Sequence, residues 1–267
     1  MNARRGARKL ALLFYVAISI AAVAGTIGAA VLAGKDPDPA WAWLLKCVAV
    51  FVLVVGLAWV FMKKQAIGWR RYGVSASAKA CRLALIGFMG GIALACAWAA
   101  IVWLWAPYAL NPNPAFSIRA LVLGTLATLL MGVAEEVGYR TFGLELLERG
   151  FGPAVAVVLP SVLFAVMHTT GGMPWLAAFS VVGSCSVLYG TLMLATRSLP
   201  LVAAFHIANN LLQDAAIRTG EGSLLKPSFN VPTGDSAPSA NIWLCIMATN
   251  LTVACFVWRK RAGAFPG

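Results

Sequence analysis

A helix needs about 20 consecutive apolar residues to cross the hydrocarbon core of a bilayer. This chain holds eight such runs, bounded by charge or proline, near residues 10–33, 41–62, 83–106, 118–147, 153–173, 175–195, 199–217 and 240–258. The runs lack the period-two alternation of barrel strands, and an open sheet cannot satisfy its backbone in lipid. The expectation is an all-α, polytopic transmembrane helix bundle of about eight spans. It forms a single integral membrane domain over 1–267, with a motif-bearing core at about 118–217. Composition agrees: with 61% hydrophobic and 11% charged residues, there are too few ions to cover a water-facing surface. The longest polar stretch, 218–239, is rich in Gly, Pro and Ser and reads as a loop. At the start, MNARRGARK precedes an apolar run of about two dozen residues, longer than the 7–15 of a signal-peptide core. A retained first span is expected.

The net charge of +12 is explained by topology. With the N-terminus in the cytoplasm, the inward segments hold Arg4, Arg5, Arg8, Lys9, Lys63, Lys64, Arg70, Arg71, Lys79, Arg82, Arg140, Arg149, Arg197, Arg259, Lys260 and Arg261. The outward side sets Lys35, Lys46, Arg119, Arg218 and Lys226 against Asp36, Asp38, Asp214, Glu221 and Asp235, and is neutral. The positive-inside rule then gives N-in and C-in. The expected surroundings are a lipid bilayer, no nucleic acid is needed to explain the charge, and the short loops suit a prokaryotic plasma membrane. Six cysteines include no CxxC pair and lie mostly in apolar runs, so they read as small core residues.

Ionisable groups at bilayer depth are costly and mark function. Three clusters interrupt the apolar runs: Glu135-Glu136 with Arg140 in the fourth, Phe164 with His168 in the fifth, and His206 with Asn210 in the seventh. Both histidines of the chain are in this set. Glu136 and Arg140, four apart, can pair on one helix face, whereas Glu135 points about 100° away and is the freer carboxylate. Phe164 and His168 share a face, as do His206 and Asn210. Counting 1.5 Å per residue from the cytoplasmic helix ends puts Glu135 roughly 18 Å deep, His168 roughly 22 Å, Asn210 roughly 16 Å and His206 roughly 10 Å. The four can meet if the fourth helix continues through the glutamates to about Leu147.

The structural alternatives are an ion pair for Glu136 with Arg140 and inter-helical hydrogen bonding for the histidines and Asn210. The GxxxG at Gly87 and Gly91 reads as helix packing. Two carboxylates, two histidines and an amide away from bulk water suit water activation and acyl hydrolysis. In that reading Glu135 is the general base, His168 orients the water and protonates the leaving amine, and His206 and Asn210 hydrogen-bond the developing oxyanion. Glu136 and Arg140 support the helix and its local field.

A divalent metal such as zinc, held by the Glu and His cluster, is the rival, although the local HExxH spacing is absent. A serine or cysteine dyad through Ser161 or Cys185 has no signature. A proton-relay transporter finds no paired broken helices or repeat symmetry to support it.

The three clusters resemble the motifs of the CAAX-protease and bacteriocin-processing (CPBP) membrane family, which includes the type II CAAX prenyl endopeptidases: EExxxR, FxxxH and HxxxN. Order, spacing and placement in successive apolar spans agree over about 80 residues. The resemblance implies an eight-helix intramembrane endopeptidase, of a family long described as metalloproteases and now more often treated as glutamate-dependent; no cofactor is expected, with the divalent metal as the alternative. In it Glu135 and His168 activate water, while His206 and Asn210 form the oxyanion site. Its substrate would be a peptide or protein that is prenylated in some members. A non-catalytic membrane scaffold or immunity-type peptide-binding protein is the alternative. The first motif departs from the family's Phe-Arg-Gly, reading Tyr139-Arg140-Thr141.

Overall fold

The computed structural model describes residues 2–35, 37–216, 220–229 and 240–264. Asp36, Arg218, Asp235 and most of the 218–239 loop therefore lie outside the described residues. The helices are α1 (Asn2–Ala33), α2 (Pro39–Lys64), α3 (Ala78–Trp105), α4 (Ile118–Arg140), α5 (Phe142–Phe151), α6 (Pro153–Thr170), the short α7 (Trp175–Ala177), α8 (Ser184–Thr196), α9 (Leu199–Ala216) and α10 (Ala240–Ala264). A 3-10 turn occupies Trp69–Tyr72, and a π-helical stretch, Ala178–Gly183, joins α7 to α8.

Local chemistry sets the boundaries. Asp38 caps α2 by accepting from the Trp41 amide at 2.9 Å, with Pro39 at the first helical position. Ser77 and Ser117 cap α3 and α4 in the same way. Gly152, at φ +91°, makes the sharp turn from α5 into Pro153.

Seven helical stretches among the described residues are long and apolar enough to span a bilayer, the fourth being α4 and α5 taken together. The expected seventh span, 199–217, forms α9 but is not one of these seven. His206, Asn209, Asn210, Gln213 and Asp214 lower its hydropathy, and its sides are covered by protein rather than lipid. The fourth span also differs from an unbroken helix to Leu147. Helix α4 passes through both glutamates and ends at Arg140, where Thr141 leaves helical geometry at ψ −110° and donates its hydroxyl to the Val137 carbonyl at 2.6 Å.

Two strands, β1 (Tyr108–Pro112) and β2 (Leu225–Phe229), pair antiparallel, with Tyr108 opposite Phe229. This ribbon lies beyond the ends of α3 and α4, so it escapes the lipid constraint that excludes open sheets, and it orders part of the stretch expected to be loop.

The core runs through the bundle: α4, α5, α6, α8 and α9 supply much of it, and α1, α2 and α3 add Phe14, Ile18, Val54 and Leu94 while presenting Leu13, Ile20, Val52 and Leu85 outward. The closest helix packing joins α3 to α9: a Cβ on Gly87 would stand 2.1 Å from the Leu201 carbonyl oxygen, and one on Gly91 2.1 Å from that of Phe205. The GxxxG stripe thus lets α9 press its backbone against α3 one residue before His206. Cysteines depart from the expected core role. Cys47 and Cys185 are buried and Cys245 is intermediate, but Cys81, Cys96 and Cys255 are exposed. An apolar environment in a membrane protein includes lipid, so Cys96 and Cys255 need not face inward, while Cys81 lies before the apolar run, between Lys79 and Arg82.

Basic residues gather at one end of the bundle. There Arg8 donates to the Gly150 carbonyl at 2.8 Å, Arg71 meets Glu145, and Arg197 and Arg261 both meet Glu148. At the opposite end Arg119 pairs with Asp38 at 3.1 Å, near exposed Trp41 and Trp43, residues suited to a membrane interface.

Candidate active site

Glu136 is wholly buried because its turn of α4 faces α8 and α9 rather than lipid. Its Oε1 lies 3.4 Å from Arg140 Nη1, the expected pairing one turn along α4, and 2.8 Å from His206 Nδ1 on α9. A carboxylate in that pair accepts, so the Nδ1 proton belongs to His206. Nε2 is then turned toward Glu135, whose Oε2 lies 3.6 Å away. His206 therefore stands between the two carboxylates, one locked and one free of the arginine. Glu135 keeps 19% of its side chain exposed while Glu136 has none, which matches the 100° offset between neighbours on a helix.

The depths estimated from helix ends separated Glu135 and His206 by roughly 8 Å, yet the two side chains meet. A glutamate and a histidine side chain together span such an offset, and their contact agrees with the expectation that these groups can meet.

His168 is joined to His206 through the Phe164 ring, which touches both imidazoles. Its Nδ1 donates to the Phe164 carbonyl at 2.9 Å, which leaves Nε2 of the neutral ring as an acceptor. The Phe164 ring packs edge-on against His168, with centroids 4.6 Å apart, and against His206 at 6.3 Å. It links the second and third motifs. Asn210 is half-buried one turn beyond His206 on α9.

Beyond the pair with Glu136, sequence spacing gives no hint of how Arg140 is held. The guanidinium is 1% exposed and donates from Nη2 to Ser186 Oγ at 2.6 Å; Ser186 donates to Ser161 Oγ at 2.9 Å. It also lies over the rings of Phe164, Tyr139 and Tyr189, at 4.8, 5.5 and 5.7 Å. Tyr189 stacks on His206 at 4.7 Å. Ser161 thus joins the arginine support rather than a nucleophilic dyad, and Ser186 and Tyr189 of α8 carry no motif. Only their polarity within an apolar run could have drawn notice. Asn209, buried beside the motif position, accepts from Gln213 at 2.7 Å, and Asp214 accepts from Thr128 of α4 at 3.0 Å.

A metal ion fits this arrangement poorly. Among the described residues no three His, Cys, Asp or Glu side chains are grouped as a ligand set. Of the Glu136 oxygens, Oε1 already faces a guanidinium and an imidazole N–H, and Oε2, buried without a hydrogen bond, is a single oxygen with no ligand set grouped around it among the described residues. Chemically, the arrangement offers one ionisable carboxylate outside the ion pair, two oriented imidazoles and a primary amide.

These motif positions lie in a segment with recognisable kin. A family model described as type II CAAX prenyl endopeptidase Rce1-like matches residues 117–212, a span that takes in all three motifs and runs from the cap of α4 into α9. Over this segment the chain is similar to that family of membrane endopeptidases; α1, α2, α3 and α10 lie outside the match. No curated protein and no solved structure matches the chain.

Proposed function

We propose that the protein is an intramembrane endopeptidase that hydrolyses a peptide bond with a glutamate-activated water. The observation that carries the reading is the division of labour between adjacent carboxylates: Glu136 is committed to Arg140 and His206, while Glu135, 3.6 Å from His206 Nε2, has no guanidinium to neutralise it. Glu135 takes a proton from water as the hydroxide oxygen bonds to the scissile carbonyl carbon. The Asn210 amide stabilises the resulting oxyanion; His206, expected to share that role, has its Nδ1–H on Glu136 and its Nε2 toward Glu135. The tetrahedral intermediate then collapses with cleavage of the C–N bond, and the leaving amine takes a proton through His168. Glu136 fixes the His206 ring, and Arg140 and Phe164 hold Glu136 and the two imidazoles in place.

The substrate is a membrane-associated peptide or protein, including one carrying a lipid anchor. The membrane is a prokaryotic plasma membrane, with both termini cytoplasmic. Cleavage of a quenched fluorogenic peptide by detergent-purified protein tests the chemistry. Activity that survives both Glu135→Ala and His168→Ala sinks the reading. Full cellular function in Glu135→Ala, together with its loss on placing a bulky side chain at Asn210, would favour a peptide-binding scaffold. Resistance of the purified activity to chelators, with no stoichiometric metal on elemental analysis, is expected of the metal-free route.

A further inference from the structure

A second ionic cluster lies at the basic end of the bundle, and the proposed hydrolysis does not use it. Glu145 of α5 accepts from Arg71 Nε at 2.7 Å and Nη2 at 2.5 Å, from the Tyr72 hydroxyl at 3.1 Å, and from Arg149. Glu148, one turn away, accepts from Arg197 at 2.8 Å and from Arg261 at 2.9 Å. Two carboxylates are therefore shared among four guanidiniums, leaving an excess of two positive charges.

The vertical order matters. Arg71, Arg149 and Arg197 are 50%, 52% and 48% exposed, whereas Glu145 and Glu148 are 10% and 18% exposed. The acids lie beneath and the bases form a rim. A structural staple would be complete with one base per acid; here each rim arginine keeps N–H groups facing water. The rim encloses a cavity of about 430 Å³, lined also by Thr141 and by Arg140, the buried cation of the candidate active site. That volume is in the range of small-molecule sites, about 300–1,000 Å³.

Backbone geometry adds an independent sign. Arg197 closes α8 in the left-handed conformation, φ +51° and ψ +31°, where glycine or asparagine is usual. A strained position that retains a long cationic side chain points to a use for that chain. Hydrogen bonding to Glu145 holds the Arg71 guanidinium firmly charged, and burial keeps the Tyr72 phenol in its neutral, donating form.

We propose that this arginine-rimmed cavity between the 3-10 turn, α5 and α8 binds a phosphate group, presented either by an anionic lipid headgroup or by a soluble phosphate compound. Guanidinium forks match phosphate oxygens in bidentate fashion, and a basic pocket between spans at the cytoplasmic level is where headgroups are met. The site does not depend on the peptidase reading.

Binding is measured directly, without substrate. In one arm, protein in phosphatidylcholine nanodiscs is titrated with inorganic phosphate by calorimetry. In the other, native mass spectrometry counts phosphatidic acid molecules retained from mixed micelles. Arg149→Gln combined with Arg197→Gln is expected to lower binding at least fivefold in whichever arm shows it, since Arg71 and Arg261 still satisfy the two acids and keep the fold. Glu148→Gln, which removes the competing carboxylate, is expected to raise it. Retention of phosphatidic acid without phosphate binding assigns the headgroup, and the converse assigns a soluble ligand. Should the double variant fail to fold, each single variant must lower binding at least twofold. Binding in neither arm, or binding indifferent to these arginines, overturns the proposal.

Discussion

The molecule solves the same electrostatic problem in two places and in opposite ways. Inside the bundle, Glu136, Arg140 and His206 form a nearly dehydrated group in which one carboxylate serves one guanidinium and one imidazole. At the basic end, Glu145 and Glu148 each serve two guanidiniums that reach into water. Burial permits no surplus charge, so the interior group is close to balanced and its geometry is fixed by Ser186, Tyr189 and Phe164. Solvent tolerates surplus, so the end cluster can carry excess arginine and keep it available. Orientation of a reacting group is therefore the natural use of the first, and attraction of an anion that of the second.

That contrast can be broken by substitution. The largest effect is expected from Glu135→Gln, which keeps size and polarity but cannot accept a proton. Peptide hydrolysis should fall by about 10²–10⁴-fold, while the thermal unfolding midpoint in detergent stays near that of the parent.

Arg140→Ala comes next. It strands Glu136 without its cation and should cost about 3–5 kcal/mol in reversible unfolding. A loss no greater than that of a rim arginine would erase the distinction between the two clusters.

Gly91→Val should destabilise by about 1–3 kcal/mol through overpacking, because its Cβ would stand 2.1 Å from the Phe205 carbonyl oxygen. By pushing α9 from α3 it should also lower activity, which separates positioning from stability when both are measured on one sample.

The smallest effect belongs to Arg197→Gln. Arg261 still pairs with Glu148 at 2.9 Å, so about 0.2–1 kcal/mol is expected, read as a small shift in the same unfolding assay. A loss comparable with that of Arg140→Ala would mean that the end cluster is a structural staple.

Much of the site was legible before any coordinates. Glu136 and Arg140 pair because four residues make one helical turn, and Glu135 stays out of the pair because adjacent residues diverge by about 100°. Phe164 meets His168 for the same reason. What spacing could not give was contact between helices. His206 was expected to share the oxyanion role with Asn210, yet its hydrogen bond goes to Glu136 and its other ring nitrogen faces Glu135. Ser186 and Tyr189, which hold Arg140 and His206, belong to no local pattern. Exposed Cys96 and Cys255 show a related limit: hydropathy marks a residue as content in lipid or protein without saying which.

The sequence by itself determined the helical, membrane-spanning class, the position of most helix ends and the two kinds of carboxylate, because each follows from periodicity, capping or the cost of charge in lipid. Only the tertiary structure decided that α4 stops at Thr141, that α9 is sheathed by protein, that His206 bridges Glu135 and Glu136, and that four arginines share two acids at one end. Those outcomes depend on how far one helix slides and turns against another. Side-chain shape and the small residues at Gly87 and Gly91 set that relation across more than a hundred residues of chain, a distance at which local spacing carries no information.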